Sequence, residues 1–242
     1  PDLTFNITGW NSSYTGLPIP APEMEEWVEA TVNALRPLQP TRVLEIGCGT
    51  GLVLARLAPD CGEYWATDYS PQAVEYIQRL KAGHPALAHV QLAQRMADDF
   101  TGFEPGAFDL VILNSVIQYF PSIDYLIRVL EGAVRLVKPG GFIYLGDVRS
   151  LPLLAAYHAS VQCHQAPATW TRADLQQRVQ QHLREEEELL IDPAFFSALK
   201  QRLPQITQVQ ISLKRGRYHN EMTLFRYQAL LQVGAEGAQP ES

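Results

Sequence analysis

The run Val43-Leu44-Glu45-Ile46-Gly47-Cys48-Gly49-Thr50-Gly51 sets an acid inside an apolar stretch and then three glycines at alternate positions. Alternate glycines let the chain turn tightly with no Cβ in the way, so a flat or charged ligand can lie against the backbone. Position 52 is Leu, which makes the spacing G-x-G-x-G and not the G-x-G-x-x-G of dinucleotide sites. Glu45 suits a cationic ligand better than a pyrophosphate. Asp68 falls 21 residues after Gly47, where a carboxylate reaches the hydroxyls of a ribose. Near the other end, His219 and Glu221 are two apart. As strand residues of equal parity they face one side, with the imidazole as general base and the carboxylate fixing its tautomer. The competing reading of His219 is a surface histidine in a hairpin turn.

Positioning these groups takes alternating strands and helices. Residues 1–20 read as an ordered arm rich in Trp, Tyr, Gly and Pro, and Pro22 opens an amphipathic helix to about Arg36. Together they form an N-terminal arm and lid helix over 1–38. Strands are predicted at Arg42–Ile46, Glu63–Thr67 (ending at Asp68), about His89–Ala93, Phe108–Leu113 and Phe142–Gly146, with helices from Leu52, Pro71 and Ser122 between them. Such alternation builds a doubly wound parallel sheet. Residues 150–203 are helical in pattern and read as a lid insert. Two last strands, Ile206–Leu213 and about Met222–Val233, complete a core spanning 39–233, and 234–242 reads as linker.

Composition narrows the class. A net charge of −7 and a pI near 5.4 argue against a nucleic-acid binder, which needs a basic face for phosphates. No apolar run approaches the roughly 20 residues of a membrane span. Three scattered cysteines without a CxxC pair read as reduced thiols of a cytoplasmic protein. The start at Pro1 and the Gly/Ala-rich end suggest a domain cut from a longer multidomain protein, a trimmed single enzyme being the alternative.

The pattern Glu45-x-Gly47-x-Gly49-x-Gly51 resembles the S-adenosylmethionine loop of class I methyltransferases. The likeness extends to Phe5–Gly16, Ile112–Pro121, Gly146–Ser150 and Arg217–Glu221, which look like the methyltransferase domains embedded in modular polyketide synthases and nonribosomal peptide synthetases. This resemblance implies a Rossmann-like α/β fold of seven strands with the last antiparallel, a helical arm and a helical lid insert. It implies cofactor contacts from Glu45, Gly47, Cys48, Gly49, Gly51, Asp68 and Tyr69. Ala97 and Asp98 would meet the adenine, and Asn114 the methionine part.

It also implies a substrate on the phosphopantetheine arm of a carrier protein, with neighbouring megasynthase domains as partners. The favoured acceptor is the β-hydroxyl of an acyl chain on an acyl carrier protein, because a His219–Glu221 pair suits a weakly acidic hydroxyl. An aminoacyl amine on a peptidyl carrier protein, a carbon acceptor and a non-catalytic domain are the alternatives.

Tyr14, Tyr119, Asp147 and Asn220 are the candidate substrate contacts, although Tyr119 reads equally as a core aromatic and Asp147 as a helix cap. Lys214, Arg215 and Arg217 suit an acidic carrier or its phosphate, a solubilising turn being the plainer reading. No metal site is indicated by histidine spacing.

Overall fold

The computed structural model describes residues 2–234, so the expected linker lies outside the described residues except for Gly234. Helix α1 (Ala21–Leu35) buries Met24, Trp27, Val28, Thr31, Val32 and Leu35, the stripe its i, i+3, i+4 spacing dictates. Strand β1 (Arg42–Ile46) leads through the glycine loop to a single-turn helix, α2 (Leu54–Leu57). Then come β2 (Glu63–Asp68), α3 (Pro71–Gly83), β3 (Val90–Gln94), β4 (Phe108–Asn114) and α4 (Ile123–Leu136). Ser70 and Ser122 cap α3 and α4 by accepting from the backbone N–H three residues on, and Pro71 opens α3.

Strand β5 runs over Val137–Arg149, longer than the sequence suggests at both ends. Its pairing with β4 jumps from Phe108↔Val137 to Leu110↔Phe142, so the Pro139-Gly140-Gly141 stretch is absorbed as an irregularity in the strand. Helices α5 (Leu154–Gln165) and α6 (Arg172–Arg184) form the insert. The third helix of that region, α7 (Ala194–Arg202), instead buries Phe196 and Leu199 in the main core. Strand β6 (Ile206–Leu213) is followed by a short α8 (Glu221–Leu224) and by β7 (Arg226–Val233). The last strand therefore starts later than predicted: Asn220 caps a helical turn where a strand was expected.

The strands form one sheet in the order β3-β2-β1-β4-β5-β7-β6, with β7 antiparallel to both neighbours. Along β1 and β4 alternate residues enter opposite cores. Val43, Leu110 and Ile112 pack with α1–α3, while Leu44, Val111 and Leu113 pack with α4 and α7. Strand order reverses between β1 and β4, so a crevice opens at their carboxyl ends, where sheets of this kind bind ligands.

Candidate active site

Two cavities meet at Gly47 in that crevice. The larger, about 250 Å³, has Tyr69, Met96, Ala97, Val116, Tyr119 and Tyr125 among its walls. The smaller, about 190 Å³, is lined by Trp10, Trp27, Glu45, the glycine loop, Asn114 and Ser115. An apolar chamber beside a polar one matches a ligand with a planar base at one end and a charged amino acid at the other. The loop holds its shape because Gly51 takes φ +77° and a Cβ there would lie 2.5 Å from Ile77 Cδ1.

Glu45 is buried, and its Oε2 accepts from the Tyr64 hydroxyl at 2.8 Å. Burial, opposed by that bond and reinforced by the charge of Asp68, pushes its carboxyl up to about 8. Asp68 accepts from Gly49 N and from Ser70 N, each at 2.9 Å, which fixes it at the mouth of the glycine loop. Burial lifts the Cys48 thiol well above its usual range, so its contribution is shape rather than nucleophilicity. Asn114 Oδ1 is buried without a partner, and it faces the backbone of Gly146, where a Cβ would come within 2.0 Å. An orphaned oxygen beside a protonated carboxyl is a poor arrangement alone and a good one around an ammonium group. These residues fit S-adenosylmethionine. Asp98 lies one position beyond the larger cavity's wall, where it accepts from the Tyr125 hydroxyl at 2.9 Å.

The acceptor side departs from the sequence reading. His219 is exposed in the loop before α8, and no hydrogen bond joins it to Glu221 among the described residues. Helical rather than extended backbone at 221 removes the shared parity on which the pair depended. Glu221 is buried, its Oε1 accepting from Ser13 N of the arm at 2.7 Å and its Oε2 having no partner. Asn220 is a helix cap, accepting from Met222 N and Thr223 N and donating to Glu23 at 2.7 Å, so its side chain is not free for substrate. Tyr14 shares a hydrogen bond with Ser160 of the insert at 3.0 Å, and Tyr119 lines the larger, base-sized cavity rather than packing in the core.

Asp147 is buried with both carboxylate oxygens taken up by Trp27, Ser115 and Arg226, so it has no acceptor left for substrate. Burial alone would raise its carboxyl, but Arg226 and Lys214, with hydrogen bonds from Ser115 and Trp27, hold it below the usual carboxylate range. Lys214, also buried, is pushed down to about 8 by burial, against the pull of Asp147. These two cations escaped the sequence reading: Lys214 looked like part of a basic turn, and Arg226 carried no motif. Among the described residues no group of three or more metal-ligating side chains gathers.

Comparison with known proteins agrees with this geometry. Residues 44–143 match the family described as a methyltransferase domain. Chondramide synthase cmdD of Chondromyces crocatus is 57% identical over 96% of this chain, which corresponds to 6% of that synthase. The probable non-canonical nonribosomal peptide synthetase CymA of Salinispora arenicola is 43% identical over 95% of this chain and 3% of its own length. The chain thus spans a small fraction of the relatives it matches. Among solved structures, the N-methyltransferase NodS of Bradyrhizobium japonicum bound to S-adenosyl-L-homocysteine has the same fold. It aligns with a TM-score of 0.57 at 17% identity, covering 92% of this chain and 99% of that one.

Proposed function

We propose that the chain is a class I methyltransferase domain that binds S-adenosylmethionine and methylates the amine of an aminoacyl group tethered to a peptidyl carrier protein in a nonribosomal peptide synthetase. The observation that carries this reading is the acceptor side itself, where Glu221 Oε2 is an unpartnered carboxylate oxygen and His219 stands apart from Glu221. A neutral amine is already nucleophilic and needs orientation more than deprotonation. An aliphatic hydroxyl needs the base that the fold leaves apart. The likeness to CymA, a peptide synthetase by name, supports the same choice.

When bound, the cofactor supplies a methyl activated by its positive sulfur. Glu45 and Asn114 would hold its amino-acid end, Asp68 its ribose, and Tyr69, Ala97 and Asp98 would border its base. Glu221 Oε2 accepts an N–H of the acceptor amine, turning the lone pair toward the methyl. As the nitrogen took the methyl from sulfur it would carry a surplus proton, which Glu221 would accept. The phosphopantetheine arm, the neighbouring synthetase domains and a cytoplasmic workplace, read from three unpaired cysteines, belong to the same proposal.

The test offers the domain carrier proteins loaded with an aminoacyl or a β-hydroxyacyl group, with products read by intact mass. A methyl gained on the aminoacyl form is expected. Methylation of the hydroxyacyl form alone overturns the amine assignment. Glu221→Gln should lower turnover about 100-fold while cofactor binding survives, and His219→Ala should stay near wild type. The reverse ranking would return the chemistry to His219.

A further inference from the structure

Strand β4 ends beside an irregularity within β5, where the pairing with β7 shifts register between Leu145 and Val148. Ser115 adopts φ +52° and Asp147 φ +62°, left-handed conformations that residues with a Cβ rarely take. Such strain persists only where the surroundings hold it, and it gathers near functional sites. Ser115 N donates to Gly146 O at 3.1 Å, and the Ser115 hydroxyl donates to Asp147 Oδ2, tying the two segments together.

Asp147 reaches further than its neighbour. Its Oδ1 accepts from Trp27 Nε1 of α1 at 3.1 Å, and its Oδ2 also accepts from Arg226 at the start of β7. Lys214 Nζ lies 4.0 Å from Oδ1, donates to Thr31 Oγ1 at 3.0 Å, and sits 4.3 Å from the centre of the Trp27 ring. One buried carboxylate thus gathers α1, the end of β4, the irregular part of β5 and both sides of the β6–β7 connection. Of these partners, Trp27 and Ser115 line the smaller cavity, whereas Arg226 and Lys214 do not.

We infer that Asp147 is a positioning residue, with no exposed atom of its own, which sets the Trp27 indole and the Ser115 turn as walls of the cofactor's amino-acid subsite. The inference rests on the cofactor site and is independent of the acceptor proposed above. A purely structural ion pair leads to a different expectation. In that case the harm of removing Asp147 is chiefly an unneutralised Arg226, because Lys214 lies farther off and sheds its proton more readily, and removing Arg226 as well repairs most of it. If Asp147 positions Trp27 and Ser115, neutralising Arg226 repairs nothing.

S-adenosylhomocysteine binding measured by calorimetry separates the two without any acceptor. Asp147→Asn should weaken binding about tenfold, and Asp147→Asn/Arg226→Gln should remain weakened, with the Trp27 indole N–H resonance displaced in both. Wild-type affinity in either variant overturns the inference. Should circular dichroism show Asp147→Asn unfolded, Trp27→Phe keeps an aromatic wall and deletes only the N–H that Asp147 holds. Weakened binding there supports the inference, and unchanged binding sinks it. Failure of the amine reading would leave these results untouched.

Discussion

A carboxyl buried at the end of β1 has to change charge to serve a cationic ligand. With Glu45 pushed up to about 8, it keeps its proton at neutral pH while the site is empty. A positive ligand favours the carboxylate, so binding should release a proton. Calorimetry of S-adenosylmethionine in buffers of differing ionisation enthalpy should show that release near pH 7, and Glu45→Gln should abolish it.

The same shift has a stability consequence. Between the ordinary carboxylate range and about pH 8 the folded form holds a proton that the unfolded chain has lost. Glu45 therefore makes stability fall as pH rises through that window. Thermal melts of Glu45→Gln should gain on wild type at about pH 9 relative to about pH 5. An equal difference at both pH values would show that the proton is not held there.

At the scale of elements, the site depends on how closely β5 approaches the end of β4. Asn114 ends β4 and pairs with Gly146 of β5. Its Oδ1 lies where a Cβ on Gly146 would be, and Tyr144 Cε1 stands 2.6 Å from the same point on the other side. Gly146→Ala cannot be relieved by moving one flexible tip, so it should cost about 1–3 kcal/mol of stability. It should also turn Asn114 out of the cofactor cavity. Denaturant melts and cofactor titration check both effects, and a variant with normal affinity would show that Asn114 does not hold the ligand.

The insert is held to the same edge. Arg149 at the end of β5 makes paired bonds of 2.7 Å to Glu186 and a third to Glu188, and His158 of α5 reaches Glu186 at 3.2 Å. Glu186 and Glu188, within a Glu185–Glu188 run that reads in sequence as a solvated helix face, thus serve as an anchor beyond the end of α6.

Across the whole molecule, the N-terminal arm touches the glycine loop, α1, α3, α8 and the insert. Thr50 of the glycine loop donates to Asn6 O at 2.8 Å, and Tyr76 of α3 donates to Leu3 O at 2.8 Å. Trp10 packs on Trp27 with ring centres 4.8 Å apart, Ser13 binds Glu221, and Gln165 of the insert donates to Ser13 O at 2.9 Å. The arm shares mostly side-chain and loop contacts with the sheet, so the fold should survive its loss while the cavity does not. A chain beginning at Leu17 should keep a cooperative melt and bind S-adenosylhomocysteine at least about tenfold more weakly. Unchanged affinity would make the arm a bystander.

The local signals in this chain were legible from residue order alone. The glycine spacing, Glu45 and Asp68 marked a strand–turn–helix suited to a flat, cationic ligand, because a tight turn at a strand end depends on neighbours in sequence. Strand alternation likewise specified the sheet, and β1 and β6 fall on the residues expected. What only the tertiary structure decided were the relations between distant segments. Capping by Asn220 won over strand propensity at 221–224 and separated His219 from Glu221, since a cap satisfies backbone N–H groups that a strand would have to pair elsewhere. Asp147 looked like a substrate contact until packing placed Arg226, Lys214 and Trp27 around it. No spacing rule encodes a buried charge whose partners lie up to 120 residues away, because its protonation and its role come from the dielectric and the donors that folding brings to it.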